Sequence, residues 1–371
     1  MSSSPASENF YALNEAPQWS IPQADREASL LSGLVELVDH HRLNCPEYER
    51  ILGGLWQGGP AQKLEDIPYL PVSLFKTHLL QSVPQDQIRI TMTSSGTTGA
   101  AVSRIAVDNE TSRRQKLSLH ASMAAILGKK RRPMLVIDSL AIVSDPALMS
   151  ARGAGVLGMM PFGRDHCFAL DESMNYRLDE VREWLAKHSG EEIFIFGFTF
   201  LVWQYLRGLA EELGSDLSKA TLVHSGGWKK LQSEAVSPEV FRRTFRELAG
   251  LRNSYNFYGM VEQMGVLFLE GDDALLYPPN IGDVIIRDPL TFEPCPPGVE
   301  GVIQVLSLIP SSYPGHSILT EDVGVIETID AGVGGRLGKA LRIVGRLPKV
   351  ELRGCSDVIA AESQRVLDAA L

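Results

Sequence analysis

The chain has 371 residues, 44% of them apolar, enough to bury a substantial core in one large domain or two ordinary ones. Its net charge of −10 argues against nucleic acid or an anionic membrane surface as the main partner. The four cysteines (Cys45, Cys167, Cys295, Cys355) form no CxxC and no Cys/His ladder, which argues against structural zinc. The start, MSSSPASENF, reads as a loose arm to about Asp25, without the basic and apolar regions of a signal peptide. With few cysteines and no apolar run long enough for a bilayer, the expected setting is a reducing cytoplasm. REASLLSGLVELVDHHR has helical apolar spacing through Leu30, Leu31, Leu34, Leu37 and Val38. AQKLEDIPYLPVSLFKTHLL, punctuated by Pro68 and Pro71, predicts a loop leading into a short helix. NETSRRQKLSLHASMAAIL predicts a helix with Asp108 as N-cap. Alternation follows: strand PMLVID, helix NYRLDEVREWLAKHSG closed by Gly190, strand EIFIFGF, helix FLVWQYLRGLAEELG ending at Gly214. It continues with strand and turn ATLVHSGG, helix SPEVFRRTFRELAG capped by Ser237 with Pro238 in its first turn, and strand RNSYNFYG. Such β/α alternation predicts an α/β fold with a mostly parallel sheet covered by helices. From about Ile281 the runs GDVIIRD, GVIQVLS, GVIETID and ALRIVG, split by Gly and Pro, predict an antiparallel or barrel-like subdomain.

Three glycine-bearing turns carry the chemistry. TMTSSGTTGAAVSRI, Thr91 to Ile105, lies between a strand-like and a helix-like segment and holds seven hydroxyl residues. Gly96 and Gly99 let backbone amides approach a ligand closely, and the hydroxyls of Thr93, Ser94, Ser95, Thr97 and Thr98 can donate to anionic oxygens. A polyphosphate fits such a loop better than the alternative of a flexible polar linker. The lysine of the common P-loop is missing from it. HSGGWKK and YGMVEQ each follow an apolar β-like run, where open α/β sheets gather ligands at the carboxyl ends of strands.

In their order, TSSGTTG, SGG, YGMVE, TEDVG and VGRLPKVELRG resemble the motifs of adenylate-forming enzymes, the acyl-CoA synthetase and firefly-luciferase superfamily. LPVSLFKTH, HSGGWKK and ELRGCSD are similar to the LuxE-type acyl-protein synthetases and their phenylacetate–CoA ligase relatives. The resemblance runs from about Leu70 to Asp357. It implies an adenylate-forming domain over residues 1–345, with 281–345 as a β-rich subdomain, and a short residual C-terminal segment, 346–371. By the same resemblance, Thr93, Ser94, Ser95, Gly96, Thr97, Thr98 and Gly99 hold the phosphates of ATP. Gly226 and Gly227 pass beside the adenine, while Tyr258 and Gly259 flank the nucleotide. Glu262 resembles the acid that binds Mg²⁺, Asp322 the acid that accepts both ribose hydroxyls, and Arg346 the arginine that reaches the ribose. Alone, Glu262 reads as a solvated charge at a helix start, and Asp322 as an ordinary turn residue.

The implied reaction is attack of a carboxylate on the α-phosphorus of ATP, giving an acyl-adenylate. Both reactants are anionic, so the site must supply cations, amide dipoles and positioning. The superfamily places Pro and Lys after the phosphate loop, where Ala101 and Val102 stand here. The lysine of a full-size second domain is missing, since Lys349 is the last in the chain. Lys76, Arg104, Lys229 and Lys230 are candidates for the replacement charge. For the acyl acceptor the resemblance implies Cys355 in ELRGCSDVI, with Arg353 lowering its pKa and Gly354 giving the chain freedom. The partner then expected is a reductase or a condensing enzyme. The alternatives are a ligase passing the acyl group to coenzyme A or a carrier protein, and a non-catalytic nucleotide-binding subunit. Phe194, Phe196, Phe198, Phe200 and Trp203 could line an acyl tunnel or be plain core, and Cys45, Cys167, Cys295, His166 and His224 read as structural.

Overall fold

The computed structural model describes residues 5–56, 58–93, 102–144, 151–214, 216–228 and 234–347. Two compact units divide the chain: one combines the chain up to Ser122 with the chain from Gly259 onward, and the other is Met123–Tyr258.

The first unit opens with α1 (Pro5–Glu15), α2 (Gln23–Asn44) and α3 (Pro46–Leu55). The expected loose arm is instead the helix α1, with Ala6, Phe10 and Leu13 buried at helical spacing. α2 buries Leu30, Leu34 and Leu37, the stripe its periodicity predicts. Then come β1 (Leu70–Pro71), the short α4 (Leu74–Thr77), β2 (Ile90–Thr93), β3 (Arg104–Val107) and α5 (Asn109–Leu127). Asp108 caps α5, its Oδ1 accepting from the Thr111 N–H at 2.7 Å. β2 and β3 pair antiparallel with Thr93 opposite Arg104, so the hydroxyl-rich loop joins two strands rather than a strand and a helix.

The second unit alternates strand and helix: β4 (Arg132–Ser139), α6 (Ala141–Ser144), α7 (Ala151–Met159), β5 (Gly163–Leu170) and α8 (Leu178–Lys187). β6 (Ile193–Phe198), α9 (Thr199–Leu201), a π turn (Val202–Leu206), α10 (Arg207–Leu213), β7 (Ala220–Ser225), α11 (Pro238–Ala249) and β8 (Asn253–Tyr258) complete it. The strands run parallel in the order β5-β4-β6-β7-β8. The interior of β4 is buried, as the apolar run MLVI requires of a strand covered on both faces. The Ser237 hydroxyl accepts from the Val240 N–H at 3.4 Å at the start of α11, and Gly250 closes the helix at φ +70°. Phe241 and Phe245 of α11 pack on Trp203.

The chain then returns to the first unit through β9 (Phe268–Glu270), β10 (Leu276–Tyr277), β11 (Gly282–Arg287), β12 (Gly301–Ser307), β13 (Ser317–Ile329) and β14 (Lys339–Arg346). β11 to β14 form successive antiparallel pairs, β10 joins β14, and β9 joins β10. The antiparallel region expected from Ile281 therefore begins earlier, at Phe268. β1 lies parallel to β13, with Leu70 opposite Ile318 and Pro71 opposite Leu319.

Candidate active site

In the second unit, β6, β7 and β8 end side by side, with Phe198 opposite Ser225 and Ser225 opposite Phe257. The Ser225 hydroxyl donates to the Phe257 carbonyl at 3.1 Å and ties two strand ends together. Gly226 follows at φ +86°, where a Cβ would stand 3.3 Å from Phe198 Cδ1. A Cβ on Gly227 would meet no heavy atom within 4 Å, so its backbone is open to approach. Tyr258 ends β8 one residue past Phe257. The structure thus brings Gly226, Gly227 and Tyr258 to the carboxyl edge of one parallel sheet. His224 beneath them is structural: its Nδ1 meets Thr199 Oγ1 at 2.9 Å, its ring stacks on Phe241, and burial depresses its pKa to about 3. His166 is likewise occupied, with Nε2 at 3.0 Å from the Met160 carbonyl oxygen.

In the first unit, Gly259 leads into a 3₁₀ turn, Val261–Gln263, that buries Glu262. Tyr313 Oη donates to the Glu262 carbonyl at 2.8 Å, and Gln263 Nε2 donates to the carbonyls of Gly315 at 2.8 Å and Val305 at 3.2 Å. Burial raises the Glu262 carboxyl pKa; a hydrogen bond with Ser103 and the charge of Lys76 oppose the rise, and Glu321 adds to it. Lys76 is brought there by β1. With β1 laid on β13 and the Val72 N–H donating to the Leu319 carbonyl at 2.9 Å, α4 sets Lys76 Nζ 3.6 Å from Glu321 Oε1. The other oxygen, Glu321 Oε2, lies 3.1 Å from Arg346 Nη2, and Arg346 Nε lies 3.6 Å from Asp322 Oδ1. Asp322 and Arg346 also face each other across β13 and β14. Asp322 and Arg346 therefore share one charge cluster with Lys76 and Glu321, and the charges of Lys76 and Glu321 are felt at Glu262, which Ser103 hydrogen-bonds. The sequence reading missed Glu321 and Ser103 as participants. Two adjacent acids in TEDVG were the available signal for Glu321.

Thr93 closes β2, exposed, across the hairpin from Arg104. Ser94, Ser95, Gly96, Thr97, Thr98, Gly99, Lys229, Lys230 and Cys355 lie outside the described residues. Cys45 and Cys167 are buried, and burial pushes each thiol up to about 11; Cys295 is half-buried and also raised. None of the three is a ready nucleophile at neutral pH. Phe194 and Phe196 are fully buried core; Phe198, at the strand end, is only half-buried.

The donor set fits a magnesium nucleotide. Within the first unit, Glu262 offers a hard oxygen and Asp322 an anionic acceptor. Among the described residues, no group of three or more His, Cys, Asp or Glu could hold a metal ion. No helix among the described residues is long and apolar enough to cross a membrane.

The model of the family described as acyl-protein synthetase, LuxE, matches residues 28–363. A long-chain-fatty-acid–luciferin-component ligase of Vibrio harveyi is 24% identical over 355 residues, 91% of this chain and 89% of that protein. The ligase of the same name from Aliivibrio fischeri is 24% identical over 307 residues, 79% of this chain and 78% of that protein. The open conformation of a 2-hydroxyisobutyryl-CoA ligase, crystallised with 2-HIB-AMP and CoA, matches with a TM-score of 0.65 at 18% identity, over 89% of this chain and 77% of that one. Its postadenylation state matches with a TM-score of 0.66 at 18% identity, over 88% and 69%. At such identity these two likenesses establish the fold.

Proposed function

Since the chain belongs to the LuxE family of acyl-protein synthetases, we propose that it activates a carboxylic acid with ATP and passes the acyl group to a thiol. The names of the 24%-identical relatives support a fatty acid as that substrate. In the first half-reaction a carboxylate oxygen bonds to the α-phosphorus while the bond to pyrophosphate breaks, leaving an acyl-adenylate. No protein nucleophile is needed, so the residues work by holding and by compensating charge. Asp322 accepts from the ribose hydroxyls and Arg346 reaches the same sugar. Gly226, Gly227, Tyr258 and Gly259 border the nucleotide. Thr93, with Ser94, Ser95, Gly96, Thr97, Thr98 and Gly99, cradles the phosphates. Bound Mg²⁺ supplies charge neutralisation on those phosphates, and Glu262 is the residue that would hold it. Of the candidate cations Lys76, Arg104, Lys229 and Lys230, the placement of Lys76 beside Glu321, with its charge felt at Glu262, supports Lys76.

In the second half-reaction a thiolate sulfur bonds to the acyl carbon and the bond to AMP breaks. Cys355 is the proposed thiol, and an acyl-accepting reductase or condensing enzyme takes the group onward; coenzyme A and a carrier-protein thiol are the alternative acceptors. The observation that supports the reading is the ion-pair network of Lys76, Glu321, Arg346 and Asp322, whose charges reach the buried Glu262, in a chain matched from residue 28 to residue 363.

Exchange of labelled pyrophosphate into ATP, run with a panel of carboxylic acids, tests the first half. Acid-dependent exchange is expected, and its absence for every acid leaves only a nucleotide-binding subunit. An acyl adduct released by neutral hydroxylamine and missing from Cys355→Ser is expected for the second half. If Cys355→Ser turns over with coenzyme A as fast as the unaltered chain, the acyl group bypasses Cys355.

A further inference from the structure

We infer that Glu321 is a positioning residue, the shared anion that orients Lys76 and Arg346 for acid activation. The inference rests on the functional reading above and adds a role that none of the motif comparisons assigns. Glu321 uses its two carboxylate oxygens separately, Oε1 toward Lys76 at 3.6 Å and Oε2 toward Arg346 at 3.1 Å. Its backbone is engaged as well: the Glu321 carbonyl accepts from the Leu347 N–H at 3.0 Å, which fixes the chain just past Arg346. One residue of β13 thereby holds α4 on one side and the end of β14 on the other.

Exposure explains why such an anchor matters. The Arg346 side chain is 66% exposed and the Lys76 side chain 34% exposed, whereas Glu321 is 20% exposed. Long cations in contact with water sample many rotamers, and holding them in one geometry costs side-chain entropy. A less exposed carboxylate between them narrows both ensembles before a ligand arrives, which is preorganisation. The division of contacts on Arg346 points the same way. Its Nη2 lies closer to Glu321 than its Nε does to Asp322, at 3.1 Å against 3.6 Å. Arg346 thus takes its tighter contact from Glu321, and the neighbouring Asp322 is left with the looser one, as suits an acid that must also accept ribose hydroxyls.

The test uses acid-dependent pyrophosphate exchange by the full chain with ATP and magnesium. Glu321→Gln keeps the side-chain shape and removes the charge. Its expected effect is a rise of about ten-fold in KM for ATP with kcat within about three-fold, the signature of lost positioning on a bound ligand. Glu321→Asp keeps the charge and is expected to recover KM to within about three-fold of the unaltered chain. In a Lys76→Met/Arg346→Ala background, adding Glu321→Gln is expected to change KM by less than about two-fold, because residues acting through one another are not additive. A Glu321→Gln enzyme with unaltered KM overturns the inference, as does an equal ten-fold loss in the background without the two cations. Should Glu321→Gln fail to fold, Glu321→Asp decides alone: a KM raised as far as ten-fold despite the retained charge overturns it. Loss of exchange in the unaltered chain, by contrast, sinks the functional reading itself.

Discussion

Gly226 shows how little side-chain chemistry a functional turn needs. At φ +86° an L side chain meets its own backbone, and a Cβ there would also press on Phe198 at 3.3 Å. Gly226→Ala is expected to cost about 1–2 kcal/mol of stability, while Gly227→Ala, with open space around the added methyl, stays within about 0.5 kcal/mol. Urea midpoints of the two variants check this; equal midpoints would remove the backbone argument. The buried Asp283 is the opposite case. Burial alone would raise its carboxyl pKa, but Lys339 at 3.3 Å and Arg26 at 3.7 Å outweigh burial and hold it low, and Gln23 Nε2 donates at 2.6 Å. Asp283→Ala removes the buried carboxylate shared by Arg26 and Lys339, leaving Lys339 only Glu27 at 3.6 Å, and is expected to lose about 3–5 kcal/mol, measured as a lower denaturant midpoint. A loss under about 1 kcal/mol would mean water reaches Arg26 and Lys339. The two residues were not equally legible. SGG announces a tight turn by composition, whereas nothing in GDVIIRD says that its first Asp, Asp283, is buried against Arg26 and Lys339, far away in the sequence. Glu321 was hidden for the same reason: its partners Lys76 and Arg346 lie on separate elements.

At the level of elements, periodicity spoke where a segment was long and failed where it was short. α2 and α11 carry their apolar stripes in plain order, and α5 and α11 their N-caps. α1 was missed because the Ser- and Pro-rich start masks a stripe of only three positions, Ala6, Phe10 and Leu13. Those positions matter: Phe10 is fully buried, Tyr11 Oη donates to Glu110 Oε1 at 2.9 Å, and the Arg114 guanidinium lies 5.4 Å from the Phe10 ring centroid. Phe10→Ala is expected to destabilise by about 3–5 kcal/mol, read from thermal melting, whereas a loose arm would give no change. β5 escaped because Arg164, Asp165 and His166 break its apolar run, and β9 and β10 are only three and two residues long. The β2–β3 pair escaped because four-residue strands flanking a polar loop leave little alternation to read. Recognising the pair places strands β2 and β3 on either side of the proposed phosphate loop.

On the scale of the whole chain, the alternating pattern marked out Met123–Tyr258 well, and the antiparallel pattern marked out most of the later strands. What composition could not convey is that the chain before Ser122 belongs with the chain after Gly259, because that union depends on non-local pairings such as Leu70 with Ile318. Each unit also buries neutral histidine, and this sets how stability responds to acid. In the first unit His41 and His316 stack at 4.9 Å between centroids; His41 Nδ1 meets Ser82 Oγ at 2.7 Å, and Tyr48 Oη lies 3.4 Å from His316 Nε2. Burial drives both pKa values down, to about 3 for His316, with His316 and His40 adding to the effect on His41. In the second unit burial depresses His224 in the same way. A depressed histidine contributes stability that is fully present above its unfolded value of 6.5 and is lost as pH falls toward the folded one. Between about pH 6.5 and about pH 5 each such histidine is therefore expected to remove stability on the order of 1 kcal/mol per pH unit. Carboxylates confuse that window little, since unfolded Asp and Glu take up most of their protons below about pH 5. Urea midpoints followed from about pH 7.5 to about pH 5 should fall steadily once pH drops below about 6.5. A flat midpoint across that range would mean that these rings are already protonated, or hydrated, in the folded chain, and the neutral stacked pair would have to be abandoned.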